Sequence, residues 1–155
     1  SSIAQEDVAS WPLGAHEDPV PAYNCNAEPL VSILWTYSPK PTSGIPDEFY
    51  FLRPDGHVYA NFLNLNGKGR TEKSVFRVDS ATYCEIRSLV MNALREAPSE
   101  ESCTTTNYML RYHDTDTQTG RVACWRRTDR SDAISEYLKV FLRLNNLLPP
   151  DALSD

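Results

Sequence analysis

The sequence predicts a single α+β domain in which an antiparallel β-sheet of about five or six strands carries two α-helices on one face, in the order ββββαββα. Short runs of alternating apolar residues indicate the strands, and turns rich in Pro, Asp, Asn and Gly between most of them indicate hairpins. Two longer segments with apolar residues three or four positions apart indicate the helices. Because tight turns join antiparallel neighbours, we expect most of the sheet to be a meander.

The length and composition suit one hydrophobic core, since the chain has 155 residues of which 41% are hydrophobic. Residues 1–30 contain four prolines and show no period, so we interpret them as an extended N-terminal arm. Residues 31–150 form the predicted domain, and residues 151–155 form a C-terminal tail.

The first half of the domain is predicted to supply four strands. Pro54, Asp55 and Gly56 form the turn of a hairpin in which Gly56 takes a positive φ, and residues 66–69 (NGKG) form a second turn. Residues 38–47, with three prolines and a glycine, form a loop that is a candidate for binding. The four strands are VSILWTY (31–37), EFYFLR (48–53), HVYANFL (57–63) and TEKSVFRV (71–78).

Two segments have the spacing and the end signals of helices. Residues 79–97 begin with Asp79 or Ser80 as the N-cap and end before a proline. Residues 131–148 begin with Ser131 or Asp132 and end before two prolines. The apolar stripes are Tyr83, Ile86, Val90, Ala93 and Leu94 in the first helix, and Ile134, Tyr137, Leu138, Phe141 and Leu144 in the second.

Four cysteines at wide spacing, without a C-x-x-C pair, favour two disulfides over four free thiols or a zinc site, and therefore a periplasmic or secreted protein. Between the helices, residues 106–113 and 121–128 are predicted to pair around the turn 114–120. A centre near residue 117 places Cys124 opposite Leu110, on the helix side of the sheet and near Cys84. Of the three possible connectivities, we therefore expect Cys84 with Cys124 and Cys25 with Cys103.

If Cys124 faces the helices, strand alternation sends Arg111, Trp125 and Arg127 to the opposite face of the sheet, together with Met109, His113 and Ala123. A tryptophan flanked by arginines is a composition enriched at protein interfaces and at binding hot spots. The alternative is that the N-terminal arm covers Trp125 and that the arginine stems lie over it.

Two histidines beside hairpin turns are the candidates for catalysis. His57 follows Asp55, and His113 precedes Asp114 and Asp116, which could resemble a two-histidine ribonuclease or phosphodiesterase site. Two copies of H-x-[ST] would support a cyclic phosphodiesterase, but only the second histidine has that motif. We therefore interpret these residues as solvated turn residues.

The sequence predicts neither a metal site nor a cofactor. The stretch 114–120 (DTDTQTG) is superficially similar to a calcium-binding loop, but Thr119 takes the glycine position and Trp125 takes the position of the bidentate glutamate. An ordinary hairpin loop is favoured. Nucleotide-binding and hydrolase motifs are also missing.

The net charge of −6 argues against nucleic-acid binding and suits a basic protein partner. No apolar run approaches the ~20 residues of a membrane helix. We therefore predict a non-enzymatic, extracytoplasmic protein that binds and neutralises a partner protein, such as a toxin or an enzyme, as an immunity protein or inhibitor does. Its acidic contact residues would be Asp47, Glu48, Asp114 and Asp116.

Two alternatives remain open at this point. One is a small secreted hydrolase or nuclease that uses His57 and His113, and the other is a carbohydrate- or ligand-binding module built on strand aromatics. The sequence does not distinguish a monomer from a dimer.

Overall fold

A computed structural model describes residues 22–25, 30–40, 48–64, 66–98 and 103–148. Within these ranges the chain forms one six-stranded antiparallel sheet and two helices in the order ββββαββα, which confirms the predicted fold class. The elements are β1 (Val31–Tyr37), β2 (Glu48–Leu52), β3 (His57–Leu63), β4 (Arg70–Arg77), α1 (Ser80–Leu94), β5 (Tyr108–Asp114), β6 (Thr119–Trp125) and α2 (Asp132–Asn145).

The spatial order of the strands is β4-β3-β2-β1-β5-β6. Strands β1 to β4 form a meander, and β5 pairs along the whole length of β1, from Val31 opposite Asp114 to Tyr37 opposite Tyr108. Because α1 links edge strand β4 to β5, the connection crosses one face of the sheet. We call that face the inner face, and the opposite side the outer face.

The core lies between the inner face and the two helices. Val31, Ile33 and Trp35 of β1 are fully buried, and the Tyr83 hydroxyl of α1 donates a hydrogen bond to the backbone oxygen of Val31 (2.8 Å). Burial raises the pKa of Tyr83 to about 12. The buried phenol therefore ties α1 to the central strand.

The second helix covers the other half of the inner face. Trp125 of β6 stacks on Tyr108 with ring centroids 5.2 Å apart, and Phe141 of α2 meets both rings edge-on. Offset stacks and edge-to-face contacts of this kind add to the stabilisation from apolar burial. The aromatic cluster fixes α2 over β5 and β6.

Both helices begin at residues that the sequence identified as candidate N-caps. The Asp79 carboxylate accepts a hydrogen bond from the Thr82 backbone N–H (2.8 Å), and the Ser131 hydroxyl accepts one from the Ile134 N–H (3.1 Å). Each cap satisfies a backbone donor that has no partner within the helix.

The predicted register of the last hairpin is wrong by one residue. Leu110 lies opposite Ala123, and Cys124 lies opposite Met109. The turn closes with the pair Asp114–Thr119, which leaves four residues in the loop, and Gln118 takes a left-handed conformation with φ of 57°. Since a one-residue shift exchanges the two faces of a strand, the predicted faces of β6 are inverted.

All four cysteines form disulfides, but the predicted pairing is wrong. Cys25 pairs with Cys84 (Cα–Cα 5.6 Å) and Cys103 pairs with Cys124 (5.8 Å). The register explains the error, because Cys124 points to the outer face and cannot reach α1 on the inner face. Two disulfides fit an oxidising compartment.

Candidate protein-binding face of the sheet

The outer face has a different composition from the core. The register places on it the alternate side chains that point away from the helices, and no helix within the described residues covers them. The residues that matter most here are Leu34, Phe49, Phe51, His57, Tyr59, Asn61, Arg70, Glu72, Arg77, Met109, Arg111 and His113.

Three arginines lie over aromatic rings on this face or at its end. Arg70 lies 5.0 Å from the ring centroid of Phe49, and Arg53 lies 5.8 Å from that of Tyr59. Arg77, at the end of β4, lies 5.1 Å from the ring of Tyr23. Such cation–π contacts stabilise guanidinium groups against aromatic rings.

A buried amide fixes the position of Arg70. Asn61 accepts a hydrogen bond from Arg70 Nε (2.5 Å) and donates one to Glu72 Oε1 (2.9 Å). Phe51 packs edge-on against Phe49 with centroids 5.2 Å apart. Phe49 and Asn61 therefore hold the Arg70 side chain in position in the unbound protein.

Arg111 is an exposed arginine of the outer face. It lies on β5, and its exposed guanidinium makes no hydrogen bond or ion pair with any residue in the described part of the chain. The strand neighbours across β1 and β6 are Leu34 and Val122. The Arg111 guanidinium is therefore exposed beside apolar side chains.

The Asp55–His57 pair lies at the end of the outer face, and the expectation that these are solvated turn residues is wrong. His57 is 3% exposed and Asp55 is 6% exposed. Asp55 Oδ1 accepts a hydrogen bond from the His57 backbone N–H (3.0 Å) and lies 3.2 Å from His57 Nδ1. Arg77 Nε donates to the backbone oxygen of Asp55 (3.0 Å), so the turn is tied to β4.

The tight packing of this turn depends on Gly56. Its φ of 89° is unfavourable for other residues, and an added Cβ would lie 2.5 Å from the backbone oxygen of Val78. Tyr23 closes the turn from outside, since its backbone N–H donates to Pro54 (2.8 Å) and its hydroxyl donates to Val78 (2.8 Å). Sequence reasoning missed this cover because Tyr23 is 33 residues from Gly56 and carries no local signal.

His57 and His113 share the outer face but are far apart. The strands that carry them are separated by β2 and β1, which places their Cα atoms three strand spacings apart, about 14 Å. A general acid and base acting on one substrate atom must both reach hydrogen-bonding distance of it. The fold therefore does not bring these two imidazoles together for a shared catalytic step.

The predicted contact residues of the outer face included Arg111, Trp125 and Arg127. Arg111 does lie on the outer face. The placement of Trp125 and Ala123 on that face is wrong, because the corrected register turns both inward, and Trp125 is 2% exposed in the core. Arg127 follows β6 and is exposed, with its backbone N–H donating to Asn107 (3.1 Å) and its guanidinium 3.5 Å from the Tyr37 hydroxyl.

The predicted acidic contacts do not share one surface. Asp47 lies outside the described residues, and Glu48 is half-buried and accepts a hydrogen bond from the Tyr50 hydroxyl (3.3 Å). Asp114 is buried and accepts hydrogen bonds from the backbone N–H groups of Asp116 and Thr117, so it stabilises the turn. Glu48 and Asp114 lie at opposite ends of β1, about 20 Å apart. Asp116 is exposed.

The charge of the chain is divided unevenly between described and undescribed residues. All 15 lysines and arginines lie in the described ranges together with 11 acidic residues, which gives a net charge of +4. The other 10 acidic residues lie outside these ranges without any basic residue. The acidic balance of the whole chain therefore does not apply to the sheet and helices.

The described residues give no sign of a metal centre, since no three His, Cys, Asp or Glu side chains come together there. Among the same residues, no helix has the length and apolar character needed to cross a membrane. Comparisons of the chain with protein-family models, curated protein sequences and solved structures give no match.

Sequence reasoning also missed the arginine–aromatic pairs. A signal for them exists in the pattern, because Phe49, Phe51 and Tyr59 all alternate with the core residues of β2 and β3. The cross-strand partner of Phe49 is Asn61, which holds Arg70 from the next strand. That relation depends on the pairing of three strands and is not visible in any one segment.

Proposed function

We propose that the protein is a non-enzymatic binding protein of the periplasm or the extracellular space, and that its outer face holds a partner protein through carboxylates on that partner. One observation carries the proposal, namely the set of arginines supported by aromatic rings on a sheet face that no described helix covers. Blocking the partner, as an immunity protein or inhibitor does, is the role we propose for this binding.

The composition of the outer face supports a protein partner. Arginine, aromatic residues and methionine are enriched at protein interfaces, whereas lysine is depleted. The cations on this face are arginines, and Phe49, Phe51 and Met109 are half-buried between them. Because Arg53, Arg70 and Arg77 already lie against aromatic rings, holding them in place on binding would cost little side-chain entropy.

Carboxylates are the groups that this arrangement suits best. A guanidinium can donate two parallel hydrogen bonds to one carboxylate, and the contact is stronger where water is excluded. Nucleic acid is the less favoured ligand, because a duplex-binding protein makes roughly six to ten phosphate contacts. Arg53, Arg70, Arg77 and Arg111 supply fewer.

A differential capture experiment tests the proposal. Wild-type protein, Arg111→Glu and the control Arg95→Glu serve as baits for secreted and envelope proteins of the source organism, with bound proteins compared quantitatively. Arg95 follows α1 and, like that of Arg111, its exposed side chain makes no hydrogen bond or ion pair with the described residues, so we expect both changes to leave the fold intact. The proposal expects an acidic protein that is retained by wild type and Arg95→Glu and lost by Arg111→Glu.

Other outcomes of the same experiment count against the proposal. A partner captured equally by all three baits would place the binding surface elsewhere. Binding abolished by nuclease treatment would identify nucleic acid as the ligand. Loss with Asp116→Lys, but not with Arg111→Glu, would support the acidic loop 114–120, which stays a prediction.

A further inference from the structure

We infer that Asn66, in the turn between β3 and β4, is a site of covalent modification, at which the side-chain amide is lost without an enzyme and an aspartate or isoaspartate forms. The inference does not depend on the proposed function. It follows from the glycine that comes next in the chain, from the hydrogen bonds of the turn and from its exposure.

Asn66 and Gly67 form the one Asn-Gly pair in the sequence of 155 residues. Asparagine is a thermolabile residue, because the backbone nitrogen of the next residue can attack its side-chain amide carbon. A following glycine has no side chain to hinder that attack. The space at Gly67 is open, since an added Cβ would meet no atom of the described residues within 4 Å apart from its chain neighbours.

The hydrogen bonds of the turn favour the attack at Asn66. Its Oδ1 accepts a hydrogen bond from the Lys68 backbone N–H (2.8 Å). Negative charge develops on this oxygen as the nitrogen attacks, so the N–H stabilises the transition state. The Gly67 N–H donates to the backbone oxygen of Asn64 (2.8 Å), and this bond must open first. Because residues 66–69 are all exposed, opening costs little.

The reaction needs only water as a co-reactant. The Gly67 nitrogen gives its proton to hydroxide and forms a bond to Asn66 Cγ. The bond from Cγ to Nδ2 then breaks, and the amide nitrogen leaves as ammonia with a proton taken from water. The product is a cyclic succinimide, and water opens it at one carbonyl or the other to give aspartate or isoaspartate at position 66.

The turn at Asp55 and Gly56 shows that a following glycine is not sufficient. An Asp-Gly pair can form the same succinimide with loss of water, but Asp55 is only 6% exposed, and its Oδ1 accepts the His57 backbone N–H (3.0 Å). Gly56 is packed against Tyr23 and Val78. The fold therefore protects this turn and leaves the turn at Asn66 open.

The modification adds a negative charge to the turn that leads into β4. Position 66 is four residues before Arg70, the first residue of that strand. The net charge of the described residues falls from +4 to +3. We therefore expect weaker attraction of carboxylates to the outer face, a consequence that rests on the proposed function, whereas the modification itself does not.

The test is incubation of the oxidised full chain at neutral pH, followed by peptide mapping with electron-transfer fragmentation, which distinguishes isoaspartate from aspartate. We expect conversion at position 66 at a rate within about tenfold of that in a synthetic peptide of residues 61–71, because the exposed turn opens easily. Conversion should be faster at mildly alkaline pH, since the Gly67 N–H must lose its proton. Asn61 and Asn64 should stay unchanged in the same sample.

Two variants make the result specific. Asn66→Gln should abolish the early release of ammonia, because its longer side chain closes a ring far more slowly. The control Asn92→Gln, at an exposed position of α1, should leave the release unchanged. Conversion at Asn66 that is at least about a hundredfold slower in the folded protein than in the peptide would overturn the inference.

A titration of the captured partner separates this inference from the proposed function. Asn66→Asp imitates the aspartate product and should raise Kd relative to Asn66→Gln by about two- to fivefold. Equal Kd values, with conversion observed at position 66, would count against the proposed binding surface and not against the modification.

Discussion

The two faces of the sheet are formed by the same strands, but their side chains differ in burial and in chemical character. The inner side chains of β1, β5 and β6 include Trp35, Leu110 and Trp125, which are closed off by α1 and α2. The outer side chains of the same strands include Leu34 and Arg111, which remain half-buried or exposed. Stability therefore comes mainly from the inner face, and we expect that an exposed outer-face residue such as Arg111 can be changed with little effect on folding.

The largest expected difference in the free energy of unfolding is between alanine variants of Trp125 and of Arg111. Trp125→Ala should lower the free energy of unfolding by about 3 to 5 kcal/mol, because it leaves a cavity between Tyr108 and Phe141. Arg111→Ala should change it by no more than about 0.5 kcal/mol. Urea unfolding measures both, and similar losses for the two variants would contradict the division between the faces.

The disulfides are the next largest contribution, and they act on different sides of the sheet. In the chain-entropy model, Cys25–Cys84 closes 59 residues and is worth about 4 kcal/mol, whereas Cys103–Cys124 closes 21 residues and is worth about 3 kcal/mol. The double serine variants should follow that order in urea unfolding. Peptide mapping of the oxidised protein checks the pairing itself, and a Cys84–Cys124 peptide would contradict the register.

High pH should destabilise the folded state, because it ionises two tyrosines that are buried in the core on the inner face. Burial raises the pKa of Tyr83 from 10.0 to about 12, and burial together with the Glu48 charge and hydrogen bond raises that of Tyr50. The neutral phenols therefore stabilise the folded state fully below pH 10, and this stabilisation is lost as the pH rises from about 10 to 12.

Tyr83→Phe isolates this effect. It should cost about 1 kcal/mol at neutral pH, since the hydrogen bond to Val31 is lost. Between pH 10 and 12 it should remove a decline on the order of 2 kcal/mol. Urea unfolding across this range measures both changes, and an unchanged alkaline decline would show that Tyr83 does not drive it.

The smallest expected effect is at the start of α2. Ser131→Ala should cost about 1 kcal/mol, because the Ile134 N–H loses its acceptor, and Ser131→Asp should restore the cap. Thermal unfolding of the two variants gives the comparison. Equal melting temperatures for Ser131→Ala and wild type would mean that the cap contributes nothing measurable.

The strands, helices and caps were predictable because each depends on local pattern. Asp79 and Ser131 cap the helices as local rules indicate, and Gly56 has the positive φ that its turn requires. The face on which Trp125 lies was harder to predict, since it depends on the exact number of residues in the β5–β6 loop, which is four. One residue in that loop exchanged the core and the surface of β6.

The candidate site was harder to predict than the fold. Arg111 was identified from composition and strand alternation, but the support of Arg70 by Phe49 and Asn61 requires three paired strands. The closure of the turn at Gly56, just before His57, depends on Tyr23, which is distant in sequence. The net charge of the whole chain averages a described part of charge +4 with ten acidic residues outside it, so it does not give the charge of the outer face.

The central claim is that the outer face binds the partner independently of the core. Titration of the captured partner against wild type, Arg111→Glu and Arg95→Glu tests it most directly. We expect Arg111→Glu to raise Kd at least about tenfold, equivalent to about 1.4 kcal/mol, with an unchanged free energy of unfolding, and Arg95→Glu to leave Kd unchanged. Equal Kd values for the two variants would contradict the claim.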